Sequence, residues 1–228
     1  MHFSQPLIRA EFRERPNRFL GIVELRGSRT ECFIPNPGRM GELLYPRATV
    51  YLSENAGPHR RTDYDLTLVD LNGNLVSIDS RVPNTIVEEA IELKTIEELK
   101  EFTVEKREFT HLDSRLDFYL KSKSTSLYLE VKSCTLVRER VALFPDAPTK
   151  RGSRHLKTLT RALNDGRGAL IFVIQRTDAE ELRPNGETDP EFAHNLNEAA
   201  EKGVEVYAYT SNVSLEGITL KYRIPVIF

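Results

Sequence analysis

The sequence predicts a two-domain protein of mixed α and β structure, a small all-β barrel through about Val82 and an α/β domain after it. Three observations predict it. Up to residue 82, short strand-like runs recur between turn signals, with no helical period among them. Beyond Asn84, helical and strand periods alternate and include a strand–helix–strand crossover. Between those helices lies a hairpin, Ser114–Phe118 leading into Tyr128–Ser133, that puts charged side chains on one face of a sheet. A chain of 228 residues, 39% of them apolar, can bury two cores.

In the first part the runs Leu7–Glu14, Phe19–Leu25, Thr30–Ile34, Ala48–Ser53, Asp63–Asp70 and Leu75–Asp79 read as strands. Arg26-Gly27-Ser28, Gly57-Pro58 and Asn72-Gly73-Asn74 supply turns between them. Short strands at this spacing suggest a small barrel. Charge is uneven: residues 1–62 hold ten arginines, no lysine and six glutamates, a balance of +4 in a chain whose total is −2. Arginines interleaved with Phe12, Phe19, Phe33, Tyr51 and Tyr64 allow a base-stacking, phosphate-contacting face. The other reading, favoured by pattern alone, makes the aromatics core and the arginines a solvated exterior. The turn Pro35-Asn36-Pro37-Gly38-Arg39-Met40-Gly41 combines rigid prolines with glycines, which let a backbone approach something closely, the second domain included.

Val82-Pro83-Asn84 reads as the boundary between domains 1–82 and 83–228. Asn84 is placed to cap a helix through Leu93 whose apolar face is Ile86, Val87, Ala90 and Ile91. Glu88 and Glu92 point away from that face, and Glu89 lies nearer its edge, where it could reach a neighbouring sheet. Glu101–Phe109 follows as a strand, after an acidic run that reads as solvated helix surface. A loop Leu143–Gly152 leads to a helix from Ser153 to about Asn164, apolar along Leu156, Leu159 and Leu163 and basic along Arg154, Lys157 and Arg161. Residues 150–167 hold six Lys or Arg and one acid, Asp165. With Thr149–Ser153 ahead of it, this helix start is a candidate phosphate seat, against the alternative of a solvated cationic face. Ala169–Ile174 is a buried strand, Asp178–Asp189 a loop, Pro190–Lys202 a helix ended by Gly203, and Val204–Tyr209 a further strand. The tail Leu220–Phe228 packs back on the body.

The hairpin carries the chemistry. Period two puts Leu116, Phe118 and Leu120 on one face and Asp117 on the other. In the partner strand Leu129 and Val131 oppose Glu130 and Lys132. Asp117, Glu130 and Lys132 can thus converge, an arrangement that is costly unless a cation or a reacting group sits among them. The bland alternative is a same-face ion pair that steadies the sheet.

The element order helix, three strands, helix, strand, with an acid on the second strand, Glu-x-Lys on the third and a candidate Glu89 on the first helix, resembles the core of the PD-(D/E)XK nuclease superfamily. That resemblance implies Asp117, Glu130 and Glu89 as metal ligands and Lys132 as the fourth catalytic residue. The cation would be magnesium, with manganese as the alternative. The chain also resembles the sugar fermentation stimulation protein A family. The carrying segments are Pro35–Met40, Asn84 with Glu89-Ala90-Ile91, Ser114–Phe118 and Tyr128–Ser133 with Thr135-Leu136. Phe144–Ala147 with Thr149, Arg151-Gly152 with His155-Leu156, and Gly203–Glu205 complete the set. The family often has a cysteine where this chain has Ile34, and a small or β-branched residue where it has Pro148. The resemblance implies an N-terminal OB-like β-barrel, a C-terminal α/β restriction-endonuclease-like domain with a mixed central sheet, and DNA binding.

The candidate nucleic-acid contacts are Lys150, Arg151, Arg154, His155, Lys157 and Arg161, with Arg39, Arg60 and Arg61 on the barrel. The expectation is a DNA-binding protein with a metal-dependent phosphodiesterase site, RNA or single strands being alternative partners and a homodimer an allowed assembly. Two competing functions stay open: a non-catalytic DNA-binding regulator of sugar metabolism genes that keeps the fold, and a single-strand-binding barrel with the second domain as scaffold. Cys32 and Cys134 are the only cysteines, so neither a disulfide framework nor a cysteine-based zinc site is suggested. No apolar run reaches the length of a membrane span and the start lacks a signal-peptide pattern, so the expected setting is cytoplasmic with no membrane partner.

Overall fold

The computed structural model describes residues 1–228. Strands β1 (Ile8–Asn17), β2 (Leu20–Leu25), β3 (Ser28–Phe33), β4 (Thr49–Glu54), β5 (Tyr64–Leu71) and β6 (Asn74–Ser77) form one sheet in the order β3-β2-β1-β4-β5-β6. A parallel pairing of Phe33 with Asp65 joins β3 to β5 and closes the first five strands into an OB barrel. Alternation does the work inside it: Phe12, Val23, Cys32, Val50, Leu52, Leu66 and Val76 point inward and are fully or almost fully buried. Leu68 points the other way and joins the core of the second domain, with Tyr51 and Leu75 beside it. The chain start also runs with the second domain, where His2 bridges Gly217.

The second domain opens with helix α1 (Val82–Glu92), then strands β7 (Thr103–His111), β8 (Ser114–Lys121) and β9 (Ser126–Cys134). Short strands β10 (Val137–Arg138) and β11 (Val141–Phe144) precede helix α2 (Lys150–Ala162), which crosses over to β12 (Arg167–Ile174). Then come β13 (Glu181–Pro184), α3 (Pro190–Glu201), β14 (Glu205–Val213) and β15 (Ile218–Ile224). The main sheet runs β15-β14-β12-β9-β8-β7, with β12 parallel to both β9 and β14 and the remaining pairs antiparallel. Helix α1 covers one face, packing Ile86, Val87 and Ile91 on Phe118, Leu129 and Val131. Helices α2 and α3 cover the other, packing Leu156, Leu159 and Leu196 on Leu170 and Phe172. The expected architecture, a barrel followed by an α/β domain with a mixed sheet, is borne out. No helix is long and apolar enough to cross a membrane.

Three local expectations change. Helix α1 starts three residues early, with Arg81 at the cap position and Pro83 in its first turn, so Asn84 is not its cap and its side chain is free for another partner. Helix α2 starts at Lys150: Thr149 is the cap and its hydroxyl accepts from the Gly152 amide at 3.0 Å. The stretch read as a phosphate-seating loop is therefore the helix's own first turn, with one amide already satisfied. Within the segment read as a loop, Glu181–Pro184 pairs in parallel with β11 to form a small outlying sheet.

Candidate active site and basic groove

Asp117 sits where two strands part. The β8–β9 ladder runs from Lys121–Ser126 to Phe118–Leu129 and stops there. One residue on, Oδ2 of Asp117 accepts from the Val131 amide at 2.8 Å, so a side chain replaces a strand carbonyl. Opposite, in β7, Glu108 has φ of 49°, a left-handed kink in the edge strand. Leu116 then packs under α2 whereas Phe118 packs under α1, although period two would put them on one face. Oδ1 of Asp117 accepts from Asn84 Nδ2 at 2.8 Å, and this is the use found for the residue released from capping.

Glu130 lies in the unbroken part of β9, one strand further in, and is 2% exposed. One carboxylate oxygen, Oε1, takes both Lys132 Nζ and His155 Nδ1. His155 is reached from α2, where it lies three residues after Gly152 and four before Leu159 on the buried side of the helix. Its other nitrogen, Nε2, accepts from Arg151 Nε at 3.3 Å, which fixes the proton on Nδ1 and makes the ring a donor to Glu130. The ammonium and the imidazole N–H are therefore two donors side by side, 3.5 Å apart, on one oxygen. The other oxygen, Oε2, is buried and has no partner.

The two carboxyls are driven apart in proton affinity. Burial raises Asp117, and the neighbouring charge of Glu130 raises it further, against the Val131 amide and Asn84. Burial also pushes Glu130 up, but Lys132 and His155 outweigh it and hold the group below the usual carboxylate range. The Asp117 carboxylate bonds the amide of Val131, the residue after Glu130, so the hairpin sets the two carboxyls close together.

Of the other expected site residues, Glu89 is not brought to this pair. It bonds the α-amino group of Met1 on another side of α1. Five residues after Asn84, it is turned about 140° around the helix, so the two cannot face the same strand. No group of three His, Cys, Asp or Glu side chains is placed to hold a metal ion. His155, expected among the nucleic-acid contacts, is buried beneath the helix instead.

The remaining basic residues do reach the surface. Lys150, Arg154, Lys157 and Arg161 line a groove of about 860 Å³ between α2 and α3, where Glu191 and Glu198 face them. The patch is thereby diluted: Arg161 bonds Asp113 at 2.7 Å and Lys157 approaches Glu191 at 3.9 Å, whereas Lys150 and Arg154 have no acidic partner. On the barrel, Arg60 bonds the buried Asp65, Arg61 lies exposed 3.5 Å from Glu31, and Arg39 is exposed in the proline-rich turn.

That turn is one contact between the domains. Asp146, ahead of α2, accepts from the Arg39 amide at 2.9 Å, and a Cβ on Gly38 would collide with the same carboxylate. Arg15 braces the turn from within the barrel, donating to the carbonyls of Asn36, Gly38 and Arg39 at 2.7–2.9 Å. Gln175 makes a second link: its carbonyl oxygen accepts from Ser77 at 2.8 Å, and its amide donates to Ser133 at 2.9 Å and Asp79 O at 3.1 Å. Ser133 is the residue after Lys132, so the barrel is bolted to the strand that carries the site.

Comparison with known proteins gives the same division. Residues 14–78 match a family model described as the SfsA N-terminal OB domain, and residues 81–217 one described as the sugar fermentation stimulation protein RE domain. A sugar fermentation stimulation protein homolog of Desulforamulus reducens is 44% identical over 96% of this chain and 92% of its own. One of Clostridium tetani is 43% identical over the whole of both chains. A solved structure, that of Pyrococcus furiosus SfsA in complex with Ca2+, superposes with a TM-score of 0.93 at 31% identity, covering 100% of this chain and 98% of that one.

Proposed function

The chain belongs to the sugar fermentation stimulation protein family, and from that premise we propose that it binds nucleic acid, DNA first, and hydrolyses phosphodiesters at Asp117, Glu130 and Lys132 with a divalent cation. The observation that carries this reading is the bare Oε2 of Glu130, a buried anionic oxygen with no donor, near the half-buried carboxylate of Asp117. An unmade partnership of this kind costs stability, and fits a ligand the carboxylates share. Two carboxylates suit magnesium, which keeps several waters and completes its shell with substrate phosphate. The calcium in the Pyrococcus relative supports a hard cation in this fold. Bound there, the cation would supply an activated water and charge stabilisation at the scissile phosphate.

The chain's own groups divide the remaining work. Asn84 and the Val131 amide fix the Asp117 carboxylate in orientation. His155 and Lys132 keep Glu130 ionised although it is buried, and turn its free oxygen away from themselves. Lys132, 14% exposed and bonded to Glu130, is the group this reading assigns to the growing negative charge on the phosphate. Lys150 and Arg154 are free to hold the flanking backbone.

The test incubates the protein with single- and double-stranded DNA and RNA, in magnesium, manganese or chelator, beside Asp117→Asn and Glu130→Gln. Metal-dependent cleavage lost in both variants is expected. Undiminished cleavage would place the chemistry elsewhere, and binding without cleavage in any condition would leave a non-catalytic DNA-binding regulator.

A further inference from the structure

The barrel carries an exposed feature that hydrolysis at Asp117 does not use. Phe19, between β1 and β2, is 46% exposed, unusual for a phenylalanine with a barrel interior beside it. It stacks on Phe33, at the end of β3, with ring centroids 6.1 Å apart and an interplanar angle of 21°. The Arg60 guanidinium lies 5.9 Å from the Phe33 ring centre, held in place by the buried carboxylate of Asp65. Arg61 and Thr62 stand beside it, and the residues together line a cleft of about 290 Å³.

We propose that this cleft holds an unpaired nucleobase, so that the barrel recognises single-stranded nucleic acid and delivers it to the second domain. The claim rests on the nucleic-acid reading above and names its strand preference. An open aromatic face bordered by two arginines suits a flat π-surface carrying phosphate on either side, and a duplex cannot offer such a face without unstacking. The cleft lies where the β1–β2 and β4–β5 loops of the barrel meet the β3 end, the side on which such barrels present their loops to oligonucleotides. Hydrogen bonds link the rim of the cleft to the second domain. Arg18 is exposed next to Phe19, and its carbonyl is tied through Arg15 to the turn that carries exposed Arg39. The Arg39 amide is bound to Asp146, four residues before Lys150 and the groove.

The test measures affinity in chelator, so that cleavage plays no part and a failed hydrolysis reading leaves it intact. The probes are a short oligothymidine, an abasic strand of the same length and a duplex, each at two salt concentrations. Phe19→Ala should weaken oligothymidine binding about 5- to 150-fold, the span expected for one lost base stack, and leave the abasic strand and the duplex unchanged. Phe19→Trp should keep oligothymidine affinity. Arg61→Ala should weaken the oligothymidine and abasic strands alike and lower the salt slope. Because Phe19 is exposed, its replacement spares the core, and an unchanged melting temperature confirms this. Equal losses on all three probes in Phe19→Ala, or no loss on any, would overturn the proposal.

Discussion

Replacing Lys132 by methionine removes the charge that Glu130 leans on most, while keeping the length of the side chain. Glu130 is 2% exposed and retains only the His155 hydrogen bond. Stripping one partner from a buried pair costs ~3–5 kcal/mol, and the surviving imidazole donor puts this case at the lower end. The sign with pH is fixed. In the native protein the Glu130 carboxyl is held below its usual range, so its stabilisation is present above the unfolded value of about 4.3 and is lost as pH falls through the folded value. In Lys132→Met the largest group opposing burial is gone, so the folded value rises and less of that stabilisation is present above about 4.3. Asp117, already raised by burial and by Glu130, moves the same way because Lys132 is among the groups that lower it. The stability deficit of the variant should therefore be small near pH 3.5 and grow toward pH 7, about 3 kcal/mol at neutrality. Urea unfolding of both proteins across that range reads it directly. A deficit independent of pH would show that Lys132 acts through packing of its stem and that the ion pair at Glu130 contributes nothing.

Gly38→Ala should cost about 1–2 kcal/mol, the worth of the Arg39–Asp146 hydrogen bond it displaces, and much less in an Asp146→Ala background. A denaturant double-mutant cycle with equal losses in both backgrounds would mean that the clash is absorbed elsewhere. Across the groove, Arg154→Ala should lower the salt slope of DNA binding by about 0.9 and Arg161→Ala by less, because Arg161 is already committed to Asp113. Equal slopes for the two variants would show that the Asp113 pair opens when DNA binds.

Much of this was written in local pattern. Period-two alternation marked the hairpin strands, because a strand with one face under a helix must alternate, and it placed Glu130 and Lys132 together. The proline–glycine turn announced a close backbone approach, which Asp146 makes. The break at Asp117 was hidden: a side chain that takes over a ladder hydrogen bond is not distinguishable in sequence from one pointing to solvent. Asn84 reads in sequence as a cap because an asparagine after a proline is a good cap, and only α1's position over β8 turns it to Asp117. For His155 the signal was available. It falls on the same helical stripe as Leu156 and Leu159, and a histidine there must find a buried partner.

The sequence by itself determined the order of the main helices and strands, the division into barrel and α/β domain, and the placing of Asp117, Glu130 and Lys132 on neighbouring strands, since each depends on contacts between near neighbours along the chain. Tertiary structure decided which groups serve them. Asn84 is 33 residues from Asp117, His155 lies 25 beyond Glu130, and Gln175 is 98 from Ser77. Such pairings arise from the angle at which a helix crosses a sheet and from how two domains dock, and no local period encodes either. The same geometry sent Glu89 to the chain's amino group and left Glu130 with one bare oxygen.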